Sequence, residues 1–160
     1  MGERVEEIMC SLCQAFPKLS QDKDFKVTSK DTPVYNCIAW AYKIDNRWMW
    51  PNTGEYLYLD GVHYWPSDEI LDCDVSNFID AFKLKGYECC ENSDFEPEYR
   101  KIALYVKPGT TECTHAAREL SNGCWTSKLG PSNDIQHGTP DTIENDAYGN
   151  VYCFMKMKFE

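Results

Sequence analysis

Positive charge is scarce in this chain, and histidine is scarcer still. Lys and Arg total 16 against 26 Asp and Glu, a formal net charge of −10, and there are only 3 His. A field of that sign repels phosphate backbones and anionic membrane surfaces, so nucleic-acid and membrane partners are not expected. No run approaches the ~20 apolar residues of a membrane span. Met1 to Phe16 has no long apolar core and carries Glu3, Arg4, Glu6 and Glu7 early, which is not a secretory signal. A glycine-rich phosphate loop is absent. So is the Gly-x-Ser-x-Gly elbow of serine hydrolases.

What remains is the composition of a soluble, aromatic-rich domain. The 160 residues are 42% hydrophobic and 14% aromatic, which excludes a disordered acidic chain. The length fits one domain, 1–160. Without export, the 9 cysteines are expected in a reducing cytoplasm as free thiols, and an odd number cannot pair completely. Export by a route that needs no signal sequence stays open. Cys10 and Cys13 have C-x-x-C spacing but fall inside a predicted helix. No second pair completes a zinc site, so no metal and no cofactor is expected.

Periodicity divides the chain into a helical part, about 1–91, and a sheet part, about 99–160. Val5, Ile8, Met9, Leu12 and Phe16 predict a helix from about Glu3 to Ala15, stopped by Pro17. Phe25 to Thr28 is a short candidate strand. The apolar run after Asn36 predicts a buried helix ending near Asp45-Asn46. Residues 52 to 66 read as irregular. Val75 to Leu84 predicts a helix capped by Asp74 or Asp72 and ended by Gly86. Strands follow at Lys101–Val106, Cys113–Leu120, Cys124–Lys128 and Val151–Lys158. Ser121-Asn122-Gly123 is a hairpin signal, and Leu129 to Pro140 reads as a loop. The layout is α+β, N-terminal helices packed on a C-terminal antiparallel meander.

Two residues in this outline suggest chemistry. Cys37 stands where a helix should begin, and free amides with the helix dipole stabilise a thiolate there. His115 follows on a predicted strand. A helix-start cysteine followed by a strand histidine is the order of a thiol nucleophile and its base. A buried cysteine is more often packing than catalysis, so the alternative is a non-catalytic acidic binding or regulatory domain. Asp134 could fix the histidine tautomer. His137, Ser127 and Asn36 are further candidates for catalytic or orienting roles. Trp48, Trp50 and Trp125 are candidates for a substrate groove, or for a packed aromatic mini-core.

Cys37, the strand Thr114-His115-Ala116-Ala117 and the hairpin through Asn122-Gly123 resemble papain-like hydrolases in their compact NlpC-type form. The chain resembles more closely an uncharacterised, mostly bacterial domain family. That likeness rests on Tyr35-Asn36-Cys37-Ile38-Ala39-Trp40, Trp48-Met49-Trp50-Pro51, Tyr64-Trp65-Pro66 and Thr114-His115-Ala116-Ala117-Arg118. It continues through Trp125-Thr126-Ser127-Lys128-Leu129-Gly130, Asp134-Ile135-Gln136-His137 and Tyr148-Gly149-Asn150-Val151. The NlpC-type group has Asp before its cysteine and His, Asn or Gln on the returning strand. Here Asn36 and the Thr126-Ser127-Lys128 run occupy those places. The resemblance implies a papain-like fold and a cysteine peptidase or amidase. Cys37 would be the nucleophile, His115 the base and later acid, and Asp134 the orienter. The partner would be a peptide or protein substrate, and a role as a toxin effector fits the same reading.

Overall fold

The computed structural model describes residues 2–51, 63–66, 71–129 and 132–158. The irregular stretch expected at 52 to 66 falls mostly outside them. Among the described residues, nine strands and three α-helices run in the order α1 (Gly2–Ala15), β1 (Lys26–Val27), α2 (Cys37–Ala41), β2 (Trp48–Met49), β3 (His63–Tyr64), α3 (Val75–Lys85), β4 (Glu88–Cys90), β5 (Tyr99–Val106), β6 (Cys113–Glu119), β7 (Trp125–Lys128), β8 (Asp134–His137) and β9 (Asn150–Lys158). Short 3-10 helices cover Pro17–Gln21 and Pro140–Ile143.

Local chemistry accounts for most boundaries. Proline occupies the first turn after α1, where it cannot continue the α-helix. Asp74 caps α3 by accepting from Ser76 N, and Gly86 ends it at φ 116. Phe78 and Phe82, on one face of α3, are fully buried, worth roughly 2–3 kcal/mol each in area removed from water. The helix expected from Asn36 to Asp45-Asn46 is shorter than its apolar pattern. Its cap is Tyr42, and Lys43 turns left-handed at φ 66. No side-chain period signals a backbone reversal of that kind.

Seven strands form one antiparallel sheet in the order β1-β8-β7-β6-β5-β9-β4. The α+β class holds, with four differences from the sequence reading. Part of the expected loop at 129–140 is strand β8, the inner neighbour of β1. β1 and β4, from the helical part, supply the two sheet edges. β9 crosses back to lie between β5 and β4, so only β5 to β8 form a meander. Helices also cover both faces.

One face carries α2, α3, Trp65 and the two-stranded β2–β3 ribbon over Ile102, Leu104, Val106, Ala116 and Met155. The other carries Phe16, Leu19, Phe25 and the inner side of α1 over Ala103, Tyr105, Ala117, Trp125 and Ile135. Gly149 lets β9 start against β5. A Cβ there would stand 1.8 Å from the Val106 carbonyl oxygen, at a φ of +75. Gly149→Ala is expected to cost about 3 kcal/mol or more, because strain and overlap add. Urea unfolding should show a lower midpoint with an unchanged m-value.

Candidate functional site

The candidate residues converge where β6 and β7 part. The two strands pair only through Arg118–Thr126 and Glu119–Trp125. Toward His115 the backbone ladder gives way to a side-chain bond, His115 Nε2 to Ser127 Oγ at 3.0 Å. α2 lies across β6 and β7 on one face. The histidines lie on the other.

Cys37 opens α2, as its position before the apolar run implies. Asn36 builds that start. Its Oδ1 accepts from Ala39 N at 3.1 Å and from Met49 N at 3.0 Å, and its Nδ2 donates to Met49 O at 2.8 Å. The side chain is therefore a buried clamp between α2 and β2. The Cys37 thiol belongs to the core face with Cys113 and Ala116, and the residue is 6% exposed. Burial pushes its pKa up to about 11. The backbone amides of Ala116, Ile38 and Cys37 itself, then the Lys128 charge, pull the other way without overcoming it. A helix of five residues contributes little dipole, so desolvation decides.

His115 is fully buried and faces Tyr105, at a ring separation of 5.1 Å, and stacks on Tyr148 at 4.3 Å. Successive strand residues point to opposite faces. Its ring therefore lies on the Tyr105 side of the sheet, while Ala116 faces Cys37. Its bonds form a directed chain. His137 Nδ1 donates to the Thr139 carbonyl at 2.8 Å, so a neutral His137 has Nε2 as an acceptor. Ser127 Oγ fills it, donating at 2.8 Å. That hydroxyl has no second proton, so His115 Nε2–H donates to Ser127. His115 Nδ1 is left as a bare lone pair, buried and without a partner. Burial pushes the pKa of His115 well below the usual histidine range, and that of His137 down to about 4.

The structure thus separates the expected trio. Asp134 sits opposite Lys128 on the α2 side of the sheet, where its Oδ2 accepts from Tyr35 OH at 2.8 Å. Its Oδ1 has no partner, and burial raises its pKa. It does not orient His115; Ser127, backed by His137, does. The expected aromatic groove is divided as well. Trp50 packs edge-on against Phe78 over α3, and Trp48 lies in β2. Trp125 is 2% exposed in the opposite core.

Sequence reading did not single out Lys128, Arg118, Tyr35 and Tyr148 as site residues. Lys128 Nζ donates to Thr32 O at 2.7 Å and lies 5.1 Å from the Tyr35 ring centre. Arg118 lies over Trp40 at 5.0 Å. A lysine and an arginine inside predicted strands were the available signal.

A family model described as a domain of unknown function, DUF7689, matches residues 26–156. The chain belongs to the DUF7689 family. The match begins at β1 and spans the whole sheet, with α1 outside it. No curated protein and no solved structure matches the chain. Among the described residues no helix is long and apolar enough to cross a membrane, and no group of three His, Cys, Asp or Glu side chains could hold a metal. None of the nine cysteines is in a disulfide.

Two outcomes follow from this geometry. Asn36→Ala strips Met49 and Ala39 of buried partners and should cost about 3 kcal/mol in chemical unfolding. The histidines make stability acid-sensitive. Their folded pKa values lie below the unfolded ~6.5, so their contribution is complete above that pH. That of His137 is lost as pH falls toward about 4, at about 1.4 kcal/mol per unit, and that of His115 is lost in the same direction. Glu119, raised by burial to about 7, acts in the opposite sense. The histidine share is therefore read as the difference in acid-side slope between wild type and His137→Asn, which should be shallower in the variant.

Proposed function

We propose that the chain is a cysteine hydrolase of papain-like type, acting on an amide or isopeptide bond in a peptide or protein. The observation that carries this reading is the hydrogen-bond chain Thr139–His137–Ser127–His115, which fixes one tautomer and leaves His115 Nδ1 bare. A base needs an unoccupied lone pair and an oriented ring. The Ala116 amide, one peptide beyond His115, acts on the Cys37 thiol, so the nucleophile on α2 and the base on β6 meet the same short segment of that strand from its two faces.

The chemistry is acyl transfer in two steps. The Cys37 thiol gives its proton to His115 Nδ1 as sulfur attacks the carbonyl. The imidazolium then protonates the leaving amine, and a thioester remains on Cys37. Water, deprotonated by His115, releases the acid and restores the thiol. Ser127 and His137 are positioning residues in this scheme. At rest Cys37 is buried and largely protonated, and His115 Nδ1 has no bond to it. Turnover therefore requires sulfur and nitrogen to come within hydrogen-bond reach around the open end of the β6–β7 ladder. A reducing, cytoplasmic setting suits nine free thiols.

The same burial favours a second reading, a non-catalytic acidic domain in which Cys37 is a packing residue. Alkylation of native protein by iodoacetamide across about pH 5 to 9, quantified cysteine by cysteine, separates the two. The hydrolase reading expects Cys37 to react below the pH at which exposed Cys10 and Cys89 react. It also expects about tenfold slower reaction in Ser127→Ala, compared under conditions where unfolding curves show the variant still folded. A Cys37 that stays silent while Cys10 and Cys89 react, or a Ser127→Ala protein that reacts as wild type does, supports the binding domain.

A further inference from the structure

At the far end of β6 from Cys113, Glu119 lines a cavity of about 140 Å3 together with Phe95, Pro97, Tyr99, Arg100 and Leu120. The residue is 5% exposed, and neither carboxylate oxygen has a hydrogen-bond partner. A buried acid without a donor costs free energy that a bound cation would recover. Of the charged groups around it, Lys101 favours the carboxylate through its charge but makes no hydrogen bond to it. Lys101 is committed to Glu96 Oε2 at 2.7 Å and Asn92 O at 3.1 Å. Arg100 alternates to the opposite face of β5, where its charge acts on Tyr87, Lys43 and Lys85. Glu96 is of like sign and pushes against ionisation of Glu119.

The walls suit a cation with an apolar stem. The Tyr99 ring already carries the Lys156 ammonium at 4.3 Å from its centre. Phe95 stands at the rim, 47% exposed, against the Gly123 hairpin turn. The volume corresponds to roughly four or five waters at ~30 Å3 each, enough for the end of one extended side chain. A net charge of −10 favours approach of a basic surface.

We propose that this pocket receives one alkylammonium group, the side chain of a lysine presented by a partner protein, with Glu119 as its counter-ion and Phe95 and Tyr99 as its walls. The site stands apart from Cys37 and does not depend on the hydrolase reading.

The test uses the full chain and n-butylammonium chloride as the probe, with the Glu119 carboxyl carbon followed by NMR. At about pH 8, where the carboxylate is ionised, the resonance should move saturably with butylammonium and not with sodium chloride at equal ionic strength. Affinity should fall several-fold at about pH 6, because protonation of Glu119 competes with the ligand. Phe95→Ala, which leaves the carboxylate intact, should bind about fivefold more weakly by loss of a wall. In Glu119→Gln, monitored through the Phe95 and Tyr99 ring signals, saturable binding should vanish. The proposal is overturned if sodium chloride moves the resonance as far, if affinity is the same at both pH values, or if Glu119→Gln binds as wild type does. If Glu119→Gln does not fold, Phe95→Ala decides, and unchanged affinity there also overturns it.

Discussion

Neighbouring residues of a strand face opposite ways, and on β6 that rule organises the chemistry of the molecule. His115 and Ala117 point to the layer containing Tyr105 and Trp125. Ala116 and Arg118 point to the layer containing α2. The same alternation on β7 and β8 sends Ser127 and His137 one way and Lys128 and Asp134 the other. Two polar systems result, back to back through one sheet. One is a neutral imidazole–hydroxyl chain. The other combines an acid, a phenol, an ammonium and a thiol.

This arrangement explains what a linear reading could recover. Pro17, Asp74 and Gly86 marked real boundaries because caps and breakers act within one turn. The Asn122-Gly123 hairpin was legible for the same reason. Asn36 and Cys37 were placed correctly at a helix start by the polar-to-apolar step after Pro33. The short α2 was not legible, since the apolar pattern runs past Tyr42 while the backbone turns at Lys43. The partner of His115 was not legible either. Asp134 and Ser127 lie nineteen and twelve positions beyond it in the chain, and only the pairing of β6, β7 and β8 decides which faces the ring. The crossing of β9 to lie beside β4 is likewise set by tertiary pairing and leaves no local trace.

His115 Nδ1, both oxygens of Glu119 and Asp134 Oδ1 are buried without hydrogen-bond partners. Each carries a desolvation cost of roughly 1–3 kcal/mol. A domain held together only by packing gains nothing from these groups. On β6 and β8 they lie beside residues as fully bonded as Asn36 and Ser127.

The edges of the sheet have a consequence for the molecule in company. β1 contributes two residues and β4 three, whereas the nine-residue β9 is enclosed between neighbours. The outermost strands are too short to template pairing with another chain, and they present Lys26 and Glu88 to solvent. The long apolar strands best suited to seeding a fibril are the ones already enclosed. At high concentration the folded domain should therefore resist edge-to-edge aggregation, and loss of β9 from its slot would be the event that exposes it.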